Sequence, residues 1–370
     1  MRYQKTGKID TLRLLIIAFL AIAVIIGSEA SKTLLSDPLL DEKVAAAHLM
    51  QRAMGVLKAE RLRNGITVDP KTDPNETGMI GEEYTDLTTT LGSLLSKRTA
   101  TNPNFAGAIV EMMHRAGTKV GDDVAISFSG SFPTLNIGVL SAVSVLKLNA
   151  VIISSVGASM YGANHPQWTW LDMEGVLKSN GILPYASHAA SLGGIAETRG
   201  GLGEKGIEVG LEAIRRNGVT YLDERGVNSL RQDIERRLAI YDTGFRGRKP
   251  SLFINTGGPL TSLGNSPEAY SISNGLLKKV PLSTHPQKGI IFRMAEKGVP
   301  VIHLLNIRGL AQRYGLPMDP VPLPPIPSGS IMKPQRYSGP LALSGLAFLC
   351  LVMITAGRKR QSVRSSLTRT

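Results

Sequence analysis

Three short stretches carry the side chains best suited to chemistry. They are Ser129-Gly130-Ser131, the run Ser154-Ser155-Val156-Gly157-Ala158-Ser159, and Asn255-Thr256-Gly257-Gly258. Each closes an apolar run and combines glycine with hydroxyl or amide side chains. Turns of this composition ahead of a helix leave backbone N–H groups open, and those groups favour a carboxylate or phosphate. Three of them at predicted strand ends point to a site for an anionic or carbonyl-bearing ligand. Its candidate residues are Ser129, Gly130, Ser131, Ser154, Ser155, Gly157, Ser159, Asn255, Thr256, Gly257 and Gly258. Lys97, Arg98, Arg199 and Lys205 are available as charge partners. The alternative is that small residues here only permit tight turns.

Ser131 also admits a catalytic reading. A serine on a strand-to-helix turn can be presented as a nucleophile, and Asp172 and His188 follow it in the order Ser, Asp, His. The local pattern, however, is Ser-Gly-Ser-Phe-Pro and not Gly-x-Ser-x-Gly. The six histidines (His48, His114, His165, His188, His285 and His303) are scattered, without the i, i+4 pairing of a metal-binding helix. No phosphate-binding Gly-x-x-x-x-Gly-Lys is present, and no Gly-x-Gly-x-x-Gly follows a strand. Neither a metal nor a cofactor is expected.

The elements that must position these residues alternate. "DVAISFS" predicts a buried strand, "TLNIGVLSAVSVLKLN" a helix, and "AVIISS" a second buried strand, together a βαβ unit. Ahead of it, Phe105, Ile109, Met112 and Met113 mark one face of an amphipathic helix over Asn104–Ala116, with Asn102 before it and Gly117 after it. Further helices are predicted over Asp41–Asn64, Trp168–Ser179, Gly203–Asn217, Gly226–Tyr241 and Gly289–Lys297. "PSLFINTGG" and "VPVIHLLN" predict further strands, and Asp69–Asn104 a long polar loop. The expected fold is α/β, doubly wound, with a mostly parallel sheet and a binding crevice at the carboxyl ends of its strands.

The ends of the chain are different. Leu14–Gly27 and Leu341–Ala356 are free of charge. Outside them lie nine basic residues against Asp10 alone, which accounts for +8 of the formal +13. This distribution argues for membrane topology and against a nucleic-acid partner. The expected organisation has transmembrane helices at 14–30 and 341–357 flanking the α/β fold. Basic cytoplasmic tails occupy 1–13 and 358–370. The domain itself, 31–316, is extracytoplasmic, and a proline-rich spacer covers 317–340. Ser28-Glu29-Ala30 leaves open a cleaved signal peptide instead. Cys350 is the single cysteine, so no disulfide forms within the chain.

Four stretches, "GMIGEEYTDLTTTLGSLLSKRTATNPNFA", "ISFSGSFPTLNI", "VIISSVGASMYGAN" and "TWLDME", resemble the poly-γ-glutamate system protein family of bacteria. The likeness runs from about Gly78 to Asn306 and includes the two apolar ends. It implies a place in a membrane apparatus that makes and exports an anionic polymer. The implied partners are the polyglutamate ligase, its small membrane partners, the polymer and the lipid bilayer. Two functions follow as expectations: an accessory that binds polymer or scaffolds the synthase, or a hydrolase or transferase acting on the polymer through a serine.

Overall fold

A computed structural model describes residues 11–194, 199–222 and 230–366. The chain divides into two units, one formed by residues 1–37 with 333–370 and one by residues 38–332. The helices are α1 (Thr11–Ala30), α2 (Leu40–Arg63), α3 (Leu94–Ala100), α4 (Asn104–Ala116), α5 (Pro133–Val145) and α6 (Trp170–Ser179). After them come α7 (Glu204–Arg216), α8 (Leu230–Gly244), α9 (Leu260–Leu263), α10 (Ile290–Glu296), α11 (Ile307–Arg313) and α12 (Gly339–Ser366).

Within the unit 38–332, seven strands form one sheet. They are β1 (Asp123–Ser129), β2 (Asn149–Ser155), β3 (Ala189–Ser191), β4 (Thr220–Tyr221), β5 (Leu252–Thr256), β6 (Gly275–Leu277) and β7 (Val301–Leu304). Their order is β6-β7-β5-β1-β2-β3-β4, parallel throughout except for β6. β1 is buried along its whole length, as the near-continuous apolar run of a strand covered on both faces requires. Helices α5, α6 and α7 connect β1 to β4 and share one core with α2 and α4. Helices α8 and α10 cover the opposite face through Tyr241, Ile290 and Met294, with Phe245 just after α8. The α/β, doubly wound, mostly parallel part of the expected fold is what this unit shows.

Local sequence explains the helices nearest the site. Pro133 opens α5, where its fixed φ and missing N–H cost nothing. Small residues inside α5 permit close packing: a Cβ on Gly138 would sit 3.2 Å from Ile109 and 3.3 Å from Met50. Ser93 caps α3 by accepting from the Ser96 N–H. Asn102 Oδ1 accepts from the Asn104 N–H at 3.0 Å, and Gly117, with φ of 92°, ends α4.

Several expectations need correction. Among the described residues, no helix is long and apolar enough to cross a membrane. At 1.5 Å per residue the charge-free runs Leu14–Gly27 and Leu341–Ala356 cover roughly 21 and 24 Å, against a hydrocarbon core of about 30 Å. The flanking transmembrane helices, the two-span membrane localisation and the cytoplasmic and extracytoplasmic assignments built on them therefore do not stand. In the terminal unit, α1 packs on α12, with Gly345 against Val24. Thr33–Leu34 pairs antiparallel with Gln335–Arg336, and Tyr337 Oη donates to Glu29 at 2.8 Å.

The proline-rich stretch differs from a free spacer over 317–332, which belongs to the compact unit. Arg98 Nε donates to Asp319 at 2.6 Å, Asn104 Nδ2 donates to Pro325 O at 3.2 Å, and Met332 is buried against Gly107. The long loop Asp69–Asn104 contains α3 and a strand, Thr88–Thr90, that pairs in parallel with Ala158–Ser159.

Candidate functional site

The strand order reverses at β1. The chain leaves β1 toward β2, β3 and β4 on one side, then crosses to β5 and β7 on the other. Ligands of open α/β sheets bind outside the carboxyl ends of strands at such a reversal. Here a cleft of about 360 Å³ opens at that point. The register of β1 on β2 places Ser129 beside Ser155. Gly257 covers Ser129 and Gly193 covers Ser155. Both glycines have positive φ, 86° and 69°, and a Cβ on either would come within 2.9 Å of the serine Cβ beneath it.

Of the eleven residues singled out from sequence, Ser129, Ser131, Ser155, Gly157, Ser159, Gly257 and Gly258 line this cleft. Gly130, Ser154, Asn255 and Thr256 do not. Gly130 lies so close to Val156 O that a Cβ would stand 2.6 Å from it. Ser154 Oγ is 2.6 Å from Ser187 Oγ, away from the cleft lining. Asn255 Nδ2 donates to Gly257 O at 2.8 Å and lies 3.0 Å from His303 Nδ1. Burial pushes that imidazole down to about 4. Thr256 Oγ1 donates to Asn136 Oδ1, and Asn136 Nδ2 donates to Ser129 O. These four residues brace the turns.

The donors differ from those expected. Three of the turn amides are consumed within the protein: Gly130 N–H on Ser155 O, Gly157 N–H on Leu192 O, and Gly257 N–H on Leu304 O, each at 2.9 Å. Ser131 N–H goes to Ser129 Oγ at 3.1 Å, and Ser159 N–H to Ser131 Oγ at 3.0 Å. What remains is a chain of hydroxyls. Ser129, Ser131 and Ser159 each accept one bond through oxygen and keep their own O–H to donate. At these positions the cleft therefore offers hydroxyl hydrogens where backbone amides were expected.

Lys97, on α3, supplies the charge. It is only 3% exposed. Its Nζ donates to Ser131 O, lies 2.8 Å from Ser159 Oγ, and stands 3.9 Å from the centroid of the Phe132 ring. Burial pushes the ammonium down to about 7. Among the described residues no carboxylate pairs with it, and it is the one ionisable side chain in the lining. The other sequence candidates for charge lie elsewhere: Arg98 pairs with Asp319, Lys205 with Asp86, and Arg199 donates to Tyr221 Oη.

Comparison with protein-family models, curated proteins and solved structures finds no match.

The Ser131, Asp172 and His188 set is not brought together. Asp172 forms the capping box of α6 with Thr169, accepting its N–H at 2.7 Å, and binds Arg216 Nε at 2.8 Å. His188 is exposed, and its Nδ1 accepts the Ile152 N–H at 3.2 Å. Neither lines the cleft. Among the described residues no group of three or more His, Cys, Asp or Glu is placed to hold a metal ion. Lys97 is one of four cations that the sequence offers as charge partners, and the sequence does not single it out: α3 has seven residues, too few for a periodicity that shows which of Lys97 and Arg98 turns inward.

Proposed function

We propose that the unit 38–332 binds a carboxylate-bearing chain in the cleft at the strand reversal. The resemblance suggests poly-γ-glutamate as that chain. The protein would then act as an accessory of the polymer's synthesis or export, beside the polyglutamate ligase. The observation that carries this reading is the convergence of the buried Lys97 ammonium with the Ser129, Ser131 and Ser159 hydroxyls on one cleft. A γ-linked glutamate repeat presents one carboxylate and one amide carbonyl. The carboxylate suits Lys97, since a charge-assisted bond in a partly dry site is stronger than one in water. The carbonyl suits a hydroxyl donor. A cleft of this volume is at the small end of ligand sites and admits a short stretch of chain, not a folded partner.

Equilibrium dialysis of the full chain against γ-linked oligoglutamate tests the reading. Saturable binding at pH 6, weakened at least tenfold in Lys97→Met, is expected. Binding indifferent to Lys97 would place the polymer elsewhere. The alternative of Ser131 as a hydrolytic nucleophile has less support. Asp172 and His188, the partners expected for it, do not line the cleft and are committed to other bonds.

A further inference from the structure

We infer that Ser159 and Lys97 form a nucleophile–base pair that hydrolyses the amide bond of the chain held in the cleft. This rests on reading the cleft as a site for a carboxylate-bearing chain, and adds a reaction to it.

The geometry assigns the roles. Ser131 O is a carbonyl and can only accept, so Lys97 must donate to it. An uncharged amine donating there still has its lone pair, and Ser159 Oγ lies 2.8 Å from the same nitrogen. That is within reach for proton transfer from the serine hydroxyl. Ser159 is held on two sides. Its strand pairs with Thr88–Thr90, and its N–H is bonded to Ser131 Oγ. The Ser131 hydroxyl, whose oxygen accepts from the Ser159 N–H at 3.0 Å, keeps its own hydrogen and is a donor available to an oxyanion formed at Ser159.

Lys97 needs no further partner to act as a base near neutrality. Burial alone lowers its proton affinity. Arg98 on the same helix is paired with Asp319. α5, which packs on α3, carries no ionisable side chain. On α11, also packed on α3, Arg308 is exposed and Arg313 donates to Asn274 O.

In the first step the Ser159 proton passes to Lys97 Nζ while Oγ bonds to the amide carbon, and the carbonyl π pair moves to oxygen. When that pair returns, the C–N bond breaks. The leaving amine takes the proton from the Lys97 ammonium, and an ester on Ser159 remains. Water then gives a proton to Lys97, its oxygen attacks the ester, and the C–Oγ bond breaks as Oγ recovers the proton. Water is the one co-reactant, and the products are a carboxylic acid and an amine.

The test uses the full chain with γ-glutamyl-p-nitroanilide from pH 5.5 to 9, reading p-nitroaniline release. Dialysis binding of γ-linked oligoglutamate is measured on the same samples. At saturating anilide, release is expected to rise with pH through about 7 as Lys97 loses its proton, while oligoglutamate binding weakens over the same range. Ser159→Ala and Lys97→Met should each lower it at least 100-fold, and Ser159→Cys, which keeps a nucleophile, should retain part of it. Circular dichroism checks that each variant folds. Release that is unchanged in Ser159→Ala overturns the proposal, as does oligoglutamate that binds without any anilide or polymer cleavage. In that last case the binding reading survives. Ser159-dependent release without oligoglutamate binding would retain the pair and remove the polymer.

Discussion

Lys97 Nζ and Ser159 Oγ are 2.8 Å apart, although 62 positions of sequence separate the two residues. The contact depends on the Thr88–Thr90 strand running parallel to Ala158–Ser159, which brings the following helix α3 against the turn after β2. A lysine on a short helix thereby becomes the only cation, among the described residues, of a cleft built largely from serines and glycines.

Lys97 should leave a signature in stability as well as in binding. Its folded pKa, about 7, lies below the ordinary 10.5. Between those values the unfolded chain holds the extra proton, so stability rises with pH across that window. For one proton the slope is at most about 1.4 kcal/mol per pH unit. Denaturant midpoints at pH 7, 8 and 9 should climb in the wild type and lose that component in Lys97→Met.

Glu174 should act in the opposite sense. It is buried, accepts the Ser187 N–H at 2.8 Å and the Ser187 hydroxyl at 3.0 Å, and is pushed up to about 7 by burial. The folded chain holds that proton between about 4.5 and 7, so stability from this group falls as pH rises through the window. His303, pushed down to about 4, opposes it below 6.5. Comparing Glu174→Gln with the wild type cancels the histidine. The variant should be more stable at pH 8 by on the order of 1 kcal/mol, measured by thermal unfolding.

Gly257, which lies over Ser129, should tolerate a side chain less well than a positive-φ glycine with open space around it. Gly257→Ala meets Ser129 Cβ at 2.9 Å as well as an unfavourable φ. Gly181, with φ of 65°, has nothing within 4 Å, so Gly181→Ala meets the backbone penalty alone. Gly181→Ala should cost about 1 kcal/mol and Gly257→Ala about 2 to 3 kcal/mol in urea unfolding. Oligoglutamate binding should fall only in Gly257→Ala.

The segment 317–332 should open locally when its tether is cut. Asp319 accepts from Arg98 and its own N–H donates to Thr99 Oγ1 at 3.0 Å. Asp319→Asn weakens the charged pair by about 1 kcal/mol. Hydrogen exchange of the amides around Asp319 should quicken about fivefold, with the β1 and β2 amides unchanged.

What could be read in the sequence follows from what a local pattern encodes. The β1–α5–β2 unit was legible because Asp123–Ser129 and Asn149–Ser155 are long enough to form apolar runs, and serine and glycine then mark where they stop. β3, β4 and β6 are three, two and three residues long, too short to show any alternation. The candidate serines were visible from composition. The fate of their amides was not, because the acceptors Ser155 O, Leu192 O and Leu304 O come from neighbouring strands or the turns that follow them. Asp172 and His188 followed Ser131 in a suggestive order, yet one caps a helix and the other borders a strand. The apolar ends suggested membrane spans, but their charge-free runs are too short.

The most direct measurement is calorimetric titration of the full chain with γ-linked oligoglutamate at pH 6 and pH 9, beside Lys97→Met. The buried ammonium is the charge that should hold the carboxylate, and it is protonated at the first pH and not at the second. Affinity should fall at least tenfold from pH 6 to pH 9 in the wild type and should be weak and independent of pH in the variant. Equal affinity at both pH values, or the same affinity with and without Lys97, would contradict the assignment of this cleft.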